Sequence, residues 1–212
     1  MPSIDLMGML YTLPALLIGL TLHELAHGWV AYKMGDPTAK NLGRLTLNPL
    51  KHLDPLGTFF LLFFNFGWAK PVPVNPMNFA GDRKRGMLWV SLAGPGTNLI
   101  IVILTALVWK FIQPQGYTQT VILFYIYYIN LILAVFNFIP VPPLDGSKIF
   151  AGFLPAKYGY VMYSVEKYGM VILLLLSFTG IIGKVLIPAV RLLGAVIASL
   201  LGVDSLQAII SQ

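Results

Sequence analysis

The chain has 212 residues, 57% of them hydrophobic and 10% charged, with 14 Lys and Arg against 8 Asp and Glu. A soluble domain carries about 25% charged residues, so this composition is that of a polytopic membrane protein. The net charge of +6 lies scattered between apolar runs, as juxtamembrane residues do, which argues against a nucleic-acid partner and for the lipid bilayer. Cysteine is absent, which excludes disulfides, thiol catalysis and thiolate metal sites, so any metal must be held by His, Asp or Glu.

Met1–Met7 carries Asp5 and no basic residue, so the first apolar helix is expected to be retained and not cleaved as a signal. That helix is predicted over Met7–Met34, with Gly35-Asp36-Pro37 as its stop. It contains His23-Glu24-Leu25-Ala26-His27. Four residues apart on a helix, His23 and His27 project from one face and can bind one metal ion, while Glu24 is placed to act as general base on a metal-activated water. Three ionisable residues inside an apolar helix are costly unless paired or bound, which favours a functional reading over a chance match.

Thr38–Thr58 is rich in Asn, Pro, Gly and basic residues, and Arg44-Leu45-Thr46-Leu47 alternates as a short strand does. Leu56–Trp68 is apolar but too short to span, and reads as a re-entrant segment. Ala69–Asn78 contains Pro71, Pro73 and Pro76 and should be extended. A second span is predicted over Met87–Ile112, bent or partly unpaired at Gly94-Pro95-Gly96. The third, Thr120–Ile139, carries Asn130 and Asn137 and ends at Pro140, Pro142 and Pro143, after which Leu144-Asp145-Gly146 turns the chain. Tyr163–Ile182 and Val185–Leu201 read as two further spans or a tightly bent pair. Tyr158–Tyr168 is polar enough for a loop.

The expected fold is therefore an all-α polytopic membrane protein with five to six transmembrane or re-entrant helices and a small membrane-associated β segment near residues 41–50. There is no internal repeat or low-complexity tract. One membrane-embedded domain is expected to fill residues 1–212, with a catalytic core of about 7–150 and C-terminal helices of about 160–203. Lys33, Lys40, Arg44, Lys51, Lys70, Arg83, Lys84 and Arg85 all lie between the first and second spans, which puts that side in the cytoplasm. His27 and Asp145 then fall near the same face. Catalytic metal sites use three protein ligands and an open position. Asp145, next to Gly after a proline-broken helix end, is the best third ligand; His52, in the Asn- and Pro-rich loop, is a weaker one.

Several separated stretches carry a resemblance. His23–His27, Gly35-Asp36-Pro37-Thr38-Ala39, Gly43–Pro49, Asp54–Thr58, Gly67–Val74, Ala93-Gly94-Pro95-Gly96-Thr97-Asn98 and Asn137–Gly146 together resemble the site-2 protease family of intramembrane zinc metalloproteases, over roughly residues 7–150. The form is short, without an inserted PDZ domain or a regulatory domain. The resemblance implies one zinc ion per chain held by His23, His27 and Asp145, with Glu24 as catalytic acid/base and Asn137 positioning substrate or stabilising the oxyanion. The plain alternative for Asn137 is an interhelical hydrogen bond, which is also the reading of Asn130 and Asn98. Arg44–Leu47 would be a sheet edge to which an unwound substrate adds as a strand. Substrates would be transmembrane proteins. Two other functions fit the same residues less well: a catalytically silent binder of membrane helices, which need not keep all four active residues, and a metal transporter, which would spread its ligands along a pathway.

Overall fold

The computed structural model describes residues 6–64, 67–155 and 164–210. The first helix, α1 (Leu6–Lys33), runs 28 residues, about 42 Å, enough to cross a bilayer. After it come a one-turn helix α2 (Thr38–Asn41), the ten-residue apolar α3 (Pro55–Phe64), the long α4 (Arg83–Ile112) and α5 (Tyr117–Phe138). A proline turn leads to α6 (Asp145–Phe153), followed by α7 (Gly169–Phe178), α8 (Ile181–Leu201) and α9 (Asp204–Ile210). Among the described residues α4, α5 and α8 are long and apolar enough to cross a membrane. Exposed side chains on α4, α7 and α8 agree: Phe111 is 81% exposed, Phe178 87% and Leu200 80%, side chains that belong in hydrocarbon and not in water.

The elements match the periodicity to within a few residues at most ends, and one expectation is corrected. No strand forms at Arg44–Leu47, and the β segment near residues 41–50 is absent among the described residues; β pairing there is a lone antiparallel bridge between Leu53 and Ala69. α4 runs through Gly94-Pro95-Gly96 as one helix, and Pro95 has no N–H to give the Ser91 carbonyl. Of the two C-terminal segments, α8 alone has a span's length, and α7 has ten residues. The expected loop at Tyr158–Tyr168 lies largely outside the described residues.

The re-entrant reading of Leu56–Trp68 has a structural counterpart. The Leu53–Ala69 bridge and the hydrogen bond from Lys70 N to His52 O (2.8 Å) close the base of this excursion, so α3 leaves and returns at one place. The chain then continues as an extended strap, residues 69–75, across the end of α1.

Buried side chains tie the strap down through its backbone. Arg44 donates from Nη2 to Lys70 O (2.8 Å) and from Nη1 to Pro71 O (3.3 Å). Asp36, fully buried, accepts from Asn75 N (2.7 Å), from Asn78 Nδ2 (2.8 Å) and from Thr38 N and Oγ1. Arg44 thus owes its burial to backbone carbonyls and not to strand pairing, which the alternating pattern around it cannot reveal.

Two kinds of core lie along α4. Its N-terminal half carries Val90, Ser91, Gly94 and Asn98 against α1, whereas its C-terminal half carries Val102, Ala106 and Trp109 into an apolar cluster with Tyr127 and Leu131 of α5, Val190 and Ala198 of α8 and Leu206 of α9. The side chains of the polar site lie on α1, α4, α5 and α6, and the far end is held by close packing together with hydrogen bonds from Tyr127 Oη to Gly194 O and from Trp109 Nε1 to Ser205 Oγ.

Asp36 gives the first prediction. Burial alone would raise its carboxyl pKa, but the hydrogen bonds from Thr38, Asn78 and Asn75 outweigh it and hold the value below normal. A depressed folded-state value means that the stabilisation is complete above the ordinary pKa of about 3.9 and is lost as pH falls through the folded value. Asp36→Ala, which leaves buried donors unpaired, should lower stability by about 2–3 kcal/mol near neutral pH. Unfolding in detergent across a pH series should show that gap shrinking below pH ~4; a gap independent of pH would contradict the account.

Candidate metal centre and active site

His23 and His27 leave one face of α1, one turn apart, and point toward α4. Asp145 is the first residue of α6, brought over by the proline turn that ends α5, and a helix N-terminus favours its carboxylate. The three are buried at 5%, 8% and 9% exposure. Their ligand atoms form a near-equilateral triangle: His23 Nε2 to His27 Nε2 is 3.0 Å, and each lies 3.1 Å from Asp145 Oδ2. Among the described residues this is the one converging group of three such side chains.

Ligands about 2.0–2.1 Å from a tetrahedral zinc stand roughly 3.3 Å apart, so the triangle fits with a small expansion. Both histidines must also present a lone pair at Nε2. The His27 Nδ1–H donates to Val90 O at 2.7 Å, and a carbonyl only accepts, so the proton sits on Nδ1 and Nε2 is free to ligate. His23 Nδ1 meets Asn98 Oδ1 at 2.6 Å. Asp145 supplies the carboxylate of the set from the first turn of α6.

Gly94 has a role beyond the expected bend. A Cβ at Gly94 would overlap His27 Nε2 and lie 2.5 Å from His23 Nε2. Gly94 is thus the floor of a cradle that any side chain would fill, and the metal fits because that space is kept.

Glu24 opens into the same cleft, a cavity of 380 Å³ that also reaches Asn137, Lys148, Trp68 and the strap residues Ala69, Pro71, Val72 and Val74. The strap acts on it directly: Val72 N donates to Glu24 Oε2 at 2.7 Å. This leaves Oε1 as the oxygen available to a reacting proton. Asn137 lines the cleft, but its Nδ2 donates to Leu133 O of its own helix at 3.0 Å. His52, the weaker third ligand, is not part of the group; its Nε2 contacts Thr46 O at 2.9 Å and it is buried beneath the loop. Sequence reasoning missed the Val72 N–H, the role of Gly94 and the contact of Asn98 with His23. The Gly-Pro-Gly run flagged the second position for a different reason, and a backbone N–H carries no side-chain signal at all.

The profile of Peptidase family M50 matches residues 113–179, a stretch that includes Asn137 and Asp145. YwhC of Bacillus subtilis (strain 168) is 42% identical over 186 residues, covering 84% of each chain. The chain belongs to peptidase family M50, the site-2 protease family. Rip2 of Mycolicibacterium smegmatis is 28% identical over 79% of this chain and 66% of its own length. The zinc metalloprotease MJ0392 of Methanocaldococcus jannaschii is 32% identical over 69% of this chain, which spans only 35% of that longer protein. No solved structure matches. Family and donor set together make this M50 protein a metalloprotease, with zinc as its metal.

Gly94→Ala should therefore purify folded but with little zinc, since the new methyl occupies ligand space and relief requires the histidines to move. Metal analysis of the purified protein checks this. A full equivalent of zinc in Gly94→Ala would show that the cradle is not needed.

Proposed function

We propose that this protein is an intramembrane endopeptidase that hydrolyses a peptide bond within or near a transmembrane helix of membrane-protein substrates. The observation that carries the proposal is the buried triangle of His23, His27 and Asp145 beside Glu24, on helices whose outer faces suit lipid. The positive-inside asymmetry supports a cleft facing the cytoplasm, in the cell membrane.

When bound, zinc lowers the pKa of a water toward ~7 and polarises a carbonyl oxygen. The chain's own residues do the rest. The Val72 N–H fixes one oxygen of Glu24, so that Oε1 takes the proton of the attacking water and later returns it to the leaving amine. Asn137, on the cleft wall, turns its Nδ2 from Leu133 O to the oxyanion. A helical substrate hides its carbonyls in its own hydrogen bonds and must unwind locally before it can enter, and helix-weakening residues in the substrate favour that. The edge available to such an extended segment is the strap, residues 69–75, which borders the cleft, in place of the Arg44–Leu47 edge that the resemblance implies.

The test is cleavage of a panel of single-pass membrane proteins by purified protein in detergent, beside Glu24→Gln and with a zinc chelator. Loss of a general base should cost at least 10²–10⁴ in rate while zinc content is unchanged, and chelation should abolish cleavage. Equal product from Glu24→Gln would remove the assignment. For Asn137→Ala the expected loss is about 10²–10³ in kcat; a change confined to KM would assign Asn137 to substrate binding instead.

A further inference from the structure

We infer that Asn98, itself fixed by Asn130, is the positioning residue for the metal ligand His23. Both asparagines are fully buried in the contact between α1, α4 and α5. The direction of every bond in the chain is forced from a backbone carbonyl. Asn130 Nδ2 donates to Ile126 O (2.8 Å), so Asn130 turns its Oδ1 outward. That oxygen accepts from Asn98 Nδ2 (2.9 Å), which also donates to Gly19 O (3.2 Å). With both donations made by its nitrogen, Asn98 has only Oδ1 to offer His23, and the 2.6 Å contact is therefore a donation from His23 Nδ1–H. The proton on Nδ1 places the lone pair of His23 on Nε2, the atom that meets His27 and Asp145.

A pair of buried asparagines joining two helices needs one hydrogen bond between them. Here the pair ends on a metal ligand, and α1 has a glycine where it passes: a Cβ at Gly19 would lie 2.8 Å from Asn130 Oδ1. His27 takes its orientation from Val90 O, so the two histidines are set independently, one by a helix carbonyl and one by this side-chain relay. Such outer partners of metal-bound histidine commonly change metal affinity 10–100-fold.

The inference rests on zinc being held by His23, His27 and Asp145; unmodified protein that binds no zinc would sink that reading, not the relay. The experiment compares zinc affinity, by chelator competition, in Asn98→Ala and Asn98→Asp. Both variants lose the donations to Gly19 O and Asn130 Oδ1; Ala leaves a cavity there and Asp sets a second oxygen against two acceptors, so the metal-free melting point of each variant reports its own packing penalty. Only Asp keeps an acceptor for His23. Asn98→Ala should bind zinc about 10–100-fold more weakly and Asn98→Asp within a few-fold of the parent. Equal affinity in the two variants would reduce Asn98 to a packing residue. A second measurement needs no variant: in the zinc-loaded parent, with ¹⁵N-labelled histidine, the His23 Nδ1 proton should be strongly downfield and slow to exchange. A freely exchanging proton there would overturn the inference even if the alanine variant failed to fold.

Discussion

Two imidazoles and a carboxylate gathered in an apolar interior are tolerable only if every lone pair and proton among them has a partner, and the contact of α1, α4 and α5 is built to that requirement. The Nε2 atoms and the Asp145 carboxylate face one another, while the Nδ1 protons go outward to Val90 O and Asn98 Oδ1. The geometry demands very close helix approach, which is why small residues stand where they do: Gly94 beneath the imidazoles and Gly19 beside Asn130. Helix association inside lipid gains nothing from hydrophobicity and relies on such packing and on interhelical hydrogen bonds. The polar site and the helix contact are therefore built from the same residues.

The second constraint comes from the strap. Extended backbone carries unpaired N–H and C=O groups that a membrane interior does not solvate. Here Arg44 takes two carbonyls, Asp36 takes the Asn75 N–H, and Glu24 takes the Val72 N–H. Residues far apart in sequence thus converge on one short segment, and the last of them is the proposed catalytic base. The same bond satisfies the strap and aims Glu24, so the wall of the cleft and its chemistry are coupled through a single N–H.

Much of this was legible in the sequence because membrane helices are. Their signal is length and apolar composition, and the HExxH spacing needs only helical periodicity to bring two ligands together. Asp145 could be reached because a carboxylate at a proline-broken helix end, at the depth of the two histidines, is costly unless it pairs or binds a metal. The misreadings and omissions share a cause. Arg44–Leu47 alternates like a strand, yet what buries Arg44 is a pair of carbonyls 26 and 27 residues away in sequence. Gly94-Pro95-Gly96 reads only as a bend in its own helix, yet the missing Cβ at Gly94 serves the histidines on another. Asn98 and Asn130 read as helix packing, which they are; that the packing ends on His23 is a tertiary fact with no local trace. Local patterns report what a segment does to itself, and the parts missed are what segments do to one another.

The measurement that bears most directly on this account is X-ray absorption at the zinc edge of the purified, zinc-loaded protein. The account predicts one zinc per chain, four-coordinate, with two imidazoles, one carboxylate oxygen and one further light atom, all at about 2.0–2.2 Å. A third imidazole, which would bring in His52, or a six-coordinate shell of oxygens would contradict it.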